Sequence, residues 1–254
     1  MAMQRRVRRF ASLPLAAALA LASPLPAQSG AFSISQHGHP VGTASYNFAA
    51  NSRGYNSTSV VRIALQGLDY ALSKTEQLSQ ANQLRHVQLS ATVNGSAVSV
   101  TAAPDAAQIL LNISANGRSS TIRLDPHPGA IFLSDFDPGA LETLLALAVT
   151  RNNSGLWAIL PKQSGSQIAS IQPVQLATYA DEQGTLDSKP ITVHHLVATI
   201  AGAATHLFSG PQNQLLQAEL PLQGFALIRR GFVLTPPAKA GAPPTDADTP
   251  PTQQ

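Results

Sequence analysis

"HVQLSATVNGSAVSV", residues His86 to Val100, decides the fold. Val87, Leu89, Ala91 and Val93 fall on one face of an extended chain, and His86, Gln88, Ser90 and Thr92 on the other. That two-residue period belongs to a strand with one packed and one wet face. Asn94-Gly95 breaks the alternation, and both residues accept the positive φ of a two-residue hairpin turn. With the turn there, Ala91 faces Val98 and Leu89 faces Val100. Pattern and turn thus predict one register.

The same test works downstream. "ILLNISANGRSSTIRL" (Ile109 to Leu124) turns at Asn116-Gly117. Leu111 then faces Ile122, Ile109 faces Leu124, and Ile113 meets Ser120, a weaker match. Two hairpins in series make a meander, the pattern of an antiparallel sheet packed on one side. Upstream, Val61, Ile63 and Leu65 alternate in "SVVRIAL". "LDYALSKTEQL" continues as a strand, although its Glu, Lys and Leu content suits a helix as well. Short β-like runs follow: "GLWAIL", "ITVHHLVATI", "ATHLF", "QLLQAEL" and "GFALIRRGFVL".

One segment departs from this period. In "DFDPGALETLLALAVTRNN" Asp137 is the expected N-cap and Pro138 the first helical residue. Leu141, Leu144, Leu145 and Ala148 follow at helical spacing, and Leu147 and Val149 widen the stripe until most of the helix is apolar. Such a helix is buried nearly all round. Arg151, near its end, complements the helix dipole.

The ends of the chain read differently from its middle. Residues 1–27 have the form of an export signal: Arg5, Arg6, Arg8 and Arg9, then an apolar run from Ala11 to Ala22, then small residues, with cleavage expected after Ala22 or Ala27. Residues 235–254 are Pro-rich with almost nothing to bury and are expected to be an extended, disordered tail. A single β-rich domain is expected over 28–234. The absence of cysteine excludes disulfides, thiolate metal sites, a Cys nucleophile and a lipid anchor on an N-terminal Cys. No later segment is apolar for long enough to span a membrane as a helix. Without the four leader arginines the chain carries 12 Lys and Arg against 13 Asp and Glu, a net charge of −1. No basic nucleic-acid footprint remains.

The sequence offers few signs of chemistry. There are seven histidines. His37 and His39 sit in a Gly/Pro turn, and His194 and His195 are neighbours on a strand, so they point to opposite faces and cannot chelate one ion. "SDFDPGALE" touches a calcium-loop pattern at Asp135, Asp137 and Glu142 but lacks the spacing to its last ligand. The Gly-x-Ser-x-Gly of a hydrolase elbow is missing, and Ser164 and Ser166 in "KQSGSQ" read as loop residues. Asp181, Glu182 and Asp187 in "TYADEQGTLD" leave carboxylate chemistry open, although acidic residues beside Gln-Gly usually form a solvated turn. No catalytic residue, metal ligand or cofactor site is assigned.

The first hairpin, "FSISQHGHPVGTASYNF" (Phe32 to Phe48), carries Phe32, Ile34, Gly38, Pro40, Val41, Gly42, Tyr46 and Phe48 in an aromatic-x-Ile, Gly-x-Pro-Val-Gly, aromatic cadence. With "YADEQGTL" and "NQLLQAELPLQGFAL", it resembles exported bacterial β-rich proteins of uncharacterised function. In outline these are similar to periplasmic lipoprotein-carrier and lipid-binding half-barrels. The resemblance spans about half of the mature chain. It implies a curved antiparallel sheet around an apolar hollow, covered by helix, but no binding residue carries over.

The expectation is therefore a mostly β protein: a strongly curved antiparallel sheet or half-barrel with the helix near 138–151 on its concave face. The leading function is non-enzymatic, with a lipid or other apolar small molecule bound or carried in the cell envelope, periplasmic or secreted. Leu141, Leu144, Leu145, Leu147 and Trp157 are expected to line the cavity, with Leu89, Val93 and Leu111 as its wall. An envelope protein docking through a sheet edge or the tail is the alternative, and a hydrolase the weakest reading.

Overall fold

The computed structural model describes residues 28–81, 83–161 and 169–236. The expected leader, the tail from residue 237 onward, Ser164 and Ser166 lie outside them.

The first half is a meander of eight antiparallel strands: β1 (Gln28–Gln36), β2 (His39–Asn51), β3 (Gly54–Leu65), β4 (Leu68–Ser79), β5 (Leu84–Val93), β6 (Ser96–Asp105), β7 (Gln108–Ala115) and β8 (Arg118–Leu124). The predicted registers hold. Ala91 faces Val98 and Leu89 faces Val100. Leu111 faces Ile122, Ile109 faces Leu124 and Ile113 faces Ser120. Asn94 and Gly95 have φ of 50° and 79°, and Asn116 and Gly117 of 52° and 72°. The first hairpin turns on His37 and Gly38 at 49° and 81°. The ambiguous "LDYALSKTEQL" is strand β4 over its whole length.

The chain then folds back as β9 (Ala130–Phe132), the helix α1 (Pro138–Thr150), β10 (Leu156–Pro161), β11 (Ala169–Thr178), β12 (Glu182–Leu186), β13 (Lys189–Ile200), β14 (Ala203–Ser209), β15 (Leu215–Leu220), β16 (Phe225–Arg229) and β17 (Phe232–Leu234). β16 pairs with β1, with Leu227 against Ile34, and so joins the two halves in one sheet. β9 runs parallel to β10, which makes the sheet mixed. β13 forks: residues 196–200 pair with β11 and residues 189–193 with β12. β12 also carries β17, and Val193, Phe208, Leu216 and Phe232 form a small second core at the fork.

The sheet is strongly curved. α1 touches β2, β3, β9, β10 and β15, strands far apart in the pairing order, and only curvature brings them to one helix. β5 reaches β9 across the same hollow side, and β8 reaches β11. The sheet is nonetheless open: among the described residues β8 pairs only with β7. The helix lies on the concave face and is buried from Pro138 to Ala148, as its all-round apolar pattern requires. Asp137 caps it as expected, accepting the Ala140 N–H at 3.0 Å.

Candidate functional site

Between β9 and α1, residues 133–137 cross the concave face, and a buried polar cluster fixes them there. Leu72, Lys74, Glu76 and Leu78 share the inward face of β4. The Lys74 ammonium is wholly buried and is paired with Glu76 at 3.0 Å and with Asp137. It also donates to the Phe132 carbonyl at 2.9 Å, while the Phe132 N–H donates to Glu76 at 3.0 Å. Ser59 and Ser134 donate to the Asp137 carboxylate. Burial alone would pull the Lys74 pKa down, but Asp137 and Glu76 raise it. Burial would push Asp137 up, yet Lys74 and the two hydroxyls hold it below the usual carboxylate range. This satisfied cluster ties the crossing segment and the helix start to β3 and β4.

The crossing segment divides the concave face. On one side, β9 and the helix fill it with Ile131, Phe132, Leu144 and Leu147, all 2% exposed or less. On the other, the strands carry smaller inward residues, Ala91, Val93, Val98 and Ala115, and no side chain of the described residues fills the space they leave. A hollow of about 390 Å³ results. Its floor also includes Leu72, Leu89, Val100 and Ile113. Ser134, Asp135 and Pro161 roof it, and Tyr70, Asn94, Ser96 and Asn116 complete the lining. The Tyr70 hydroxyl donates to the Asp135 carbonyl at 3.4 Å. Asp135 is exposed to water, and the protein packed beside its carboxyl takes away part of its hydration and raises its pKa. Burial, followed by the charges of Asp135 and Asp137, raises the Tyr70 phenol strongly.

Of the residues expected to form a cavity, Leu89 and Val93 line this hollow. Leu111 is fully buried in the wall beside it. The helix residues lie elsewhere: Leu141, Leu144, Leu145 and Leu147 are closed into the main core, at most 7% exposed. The physical reason is the helix position, over β2, β3, β10 and β15 rather than β5–β7. Trp157 is half-buried and stacks on His127 with ring centroids 3.7 Å apart. Ser134, not singled out in the sequence, and Asp135, read there only as part of an incomplete calcium-loop pattern, both line the hollow. The signal for the hollow was the run of small residues at one end of each inward face.

Three larger recesses among the described residues are more open. One, of about 520 Å³, lies on the outer face around Ser73, Ser90, Ser99 and Ser114, a second, of about 1090 Å³, lies between hairpin tips near Arg53 and Arg85, and a third, of about 450 Å³, lies around Ser29, Tyr46, Asp187 and Arg229. The concave hollow is the more enclosed.

Three of the seven histidines, His194, His195 and His206, gather at the β13 fork. His194 and His195 point apart, as adjacent strand residues must, and each meets its own carboxylate: Asp181 at 2.9 Å and Glu182 at 3.1 Å. His195 also contacts His206 at 3.0 Å and stacks against Tyr179 and Phe208. Asp181 and Glu182 therefore lie against imidazoles rather than in a free turn. Among the described residues, no group of three or more His, Asp or Glu is placed to hold a metal ion, and no helix is long and apolar enough to cross a membrane. The three carboxylates of "SDFDPGALE" also separate: Asp135 faces the hollow, Asp137 pairs with Lys74, and Glu142 accepts the Leu215 N–H at 2.7 Å.

Comparison of the chain with protein-family models, curated proteins and solved structures found no match.

Proposed function

We propose that the protein is an exported, non-enzymatic envelope protein that holds an apolar, lipid-like small molecule in the hollow beneath Ser134 and Asp135. The observation that carries this reading is the hollow itself, about 390 Å³ of space lined mainly by alanine, valine, leucine and isoleucine. Ligand sites generally fall between about 300 and 1,000 Å³ and combine apolar walls with a few polar groups. Each methylene moved from water into such a space contributes roughly 0.8 kcal/mol. The wall belongs to a regular meander, whose strand pairing fixes its shape.

The test is titration of the full chain with Nile red, a neutral apolar fluorophore. Saturable binding is expected, with a blue-shifted emission. Val98→Trp, which places an indole in the hollow, is expected to reduce it at least about tenfold with the fold unchanged by circular dichroism. Equal binding by the folded variant and the parent would contradict the proposal.

A further inference from the structure

The hollow has one polar end, and carboxylates outnumber cationic groups there among the described residues. Among the described residues Asp135 is its single formally charged lining residue, and no Lys, Arg or His lines it. The Asp135 side chain has no hydrogen-bond or ion-pair partner among them. Ser134, also in the lining, donates to Asp137 at 2.8 Å and so connects the hollow to the buried cluster behind it. That cluster holds two carboxylates, Asp137 and Glu76, against one ammonium, Lys74. Counting Asp135, the polar end holds three carboxylates and one ammonium, and both Asp135 and Asp137 act on the Tyr70 phenol. The remaining polar groups, the Asn94 and Asn116 amides and the Ser96 hydroxyl, are neutral.

An acyl chain ending in a carboxylate or phosphate would place a second anion beside the Asp135 carboxylate, and the two like charges would repel. A protonated amine or guanidinium would instead pair with the carboxylate through charge-assisted hydrogen bonds. We propose that the ligand of this hollow is a cationic amphiphile, with an apolar body against Ala91, Val93 and Val98 and a protonated nitrogen head against Asp135. This rests on the reading of the hollow as a ligand site and adds the sign of the ligand's charge.

The experiment is competition against Nile red on the full chain near pH 8, with dodecylamine, dodecanol and dodecanoate as probes of one chain length. Dodecylamine is expected to displace the dye about tenfold more effectively than dodecanol, with dodecanoate weakest. Asp135→Asn is expected to bring the amine and the alcohol together while Nile red still binds. If Nile red binds the parent but dodecanoate matches or exceeds dodecylamine, the cationic assignment fails and the apolar site stands. If Asp135→Asn leaves the amine preference intact, the assignment fails as well. If neither dye nor any competitor binds, the ligand site itself is refuted.

Discussion

At the scale of single residues, the most consequential group is Lys74, wholly buried between two carboxylates. Its pairing was legible in principle, because Leu72, Lys74, Glu76 and Leu78 share one strand face, and opposite charges in phase with leucines mark a buried pair. Asp137 and the Phe132 backbone were not legible, since they arrive from distant sequence. Replacing one member of a buried ion pair strands the others, at a cost of about 3–5 kcal/mol. Lys74→Met is therefore expected to lower unfolding stability by that amount, measured by urea denaturation at neutral pH. The raised Lys74 and lowered Asp137 pKa values place the pair's contribution across the whole neutral range. It is lost as pH falls through the folded pKa of Asp137, and at high pH as Lys74 deprotonates. Glu142 behaves in the opposite sense. Burial raises its carboxyl from 4.5 to about 7, and the Leu215 N–H and nearby Tyr46 and Arg229 oppose burial without overcoming it. The folded state keeps this proton while the unfolded chain releases it, so stability falls as pH rises from about 4.5 to about 7, on the order of 3 kcal/mol in all. Glu142→Gln, which keeps an acceptor for Leu215, is expected to remove that part of the pH dependence. Parallel slopes for parent and variant in urea titrations at pH 5 and pH 8 would refute it.

At the scale of elements, α1 shows how local signals and tertiary contacts combine. Its cap, its Pro138 start and its apolar circumference were legible from spacing alone. Its seat was not. Ser59 accepts the Gly139 N–H at 3.1 Å, and Ser57 donates to the Gly139 carbonyl at 3.3 Å, so the first turn lies directly on β3. A Cβ on Gly139 would fall 2.2 Å from the Ser59 hydroxyl oxygen and 2.8 Å from that of Ser57. Helix propensity by itself makes Gly→Ala a gain of roughly 1 kcal/mol. The close approach reverses the sign, and Gly139→Ala is expected to destabilise by about 1–3 kcal/mol, as overpacking does. Thermal unfolding decides between the signs. The long hairpins were legible because Asn-Gly turns and two-residue alternation agree. β9 and the β13 fork were not, because β9 has three residues and the fork depends on where two other strands end.

At the scale of the whole molecule, a single apolar helix among amphipathic strands already implied a curved sheet, since a flat one covers only one side of a helix. The position of the empty space could not be inferred, because it depends on where residues 133–137 cross the concave face and which half the helix fills. The helix leucines, prominent in the sequence, complete the closed core, while less conspicuous alanines and valines of β5–β7 border the hollow. The account stands or falls on whether that hollow takes up a ligand. Native mass spectrometry of the full chain isolated from its own host cells tests this most directly. The account predicts a protein peak carrying one non-covalent small-molecule adduct, lost after organic extraction, restored by dodecylamine and absent in Val98→Trp. A bare mass before extraction, and again after incubation with dodecylamine, would contradict it.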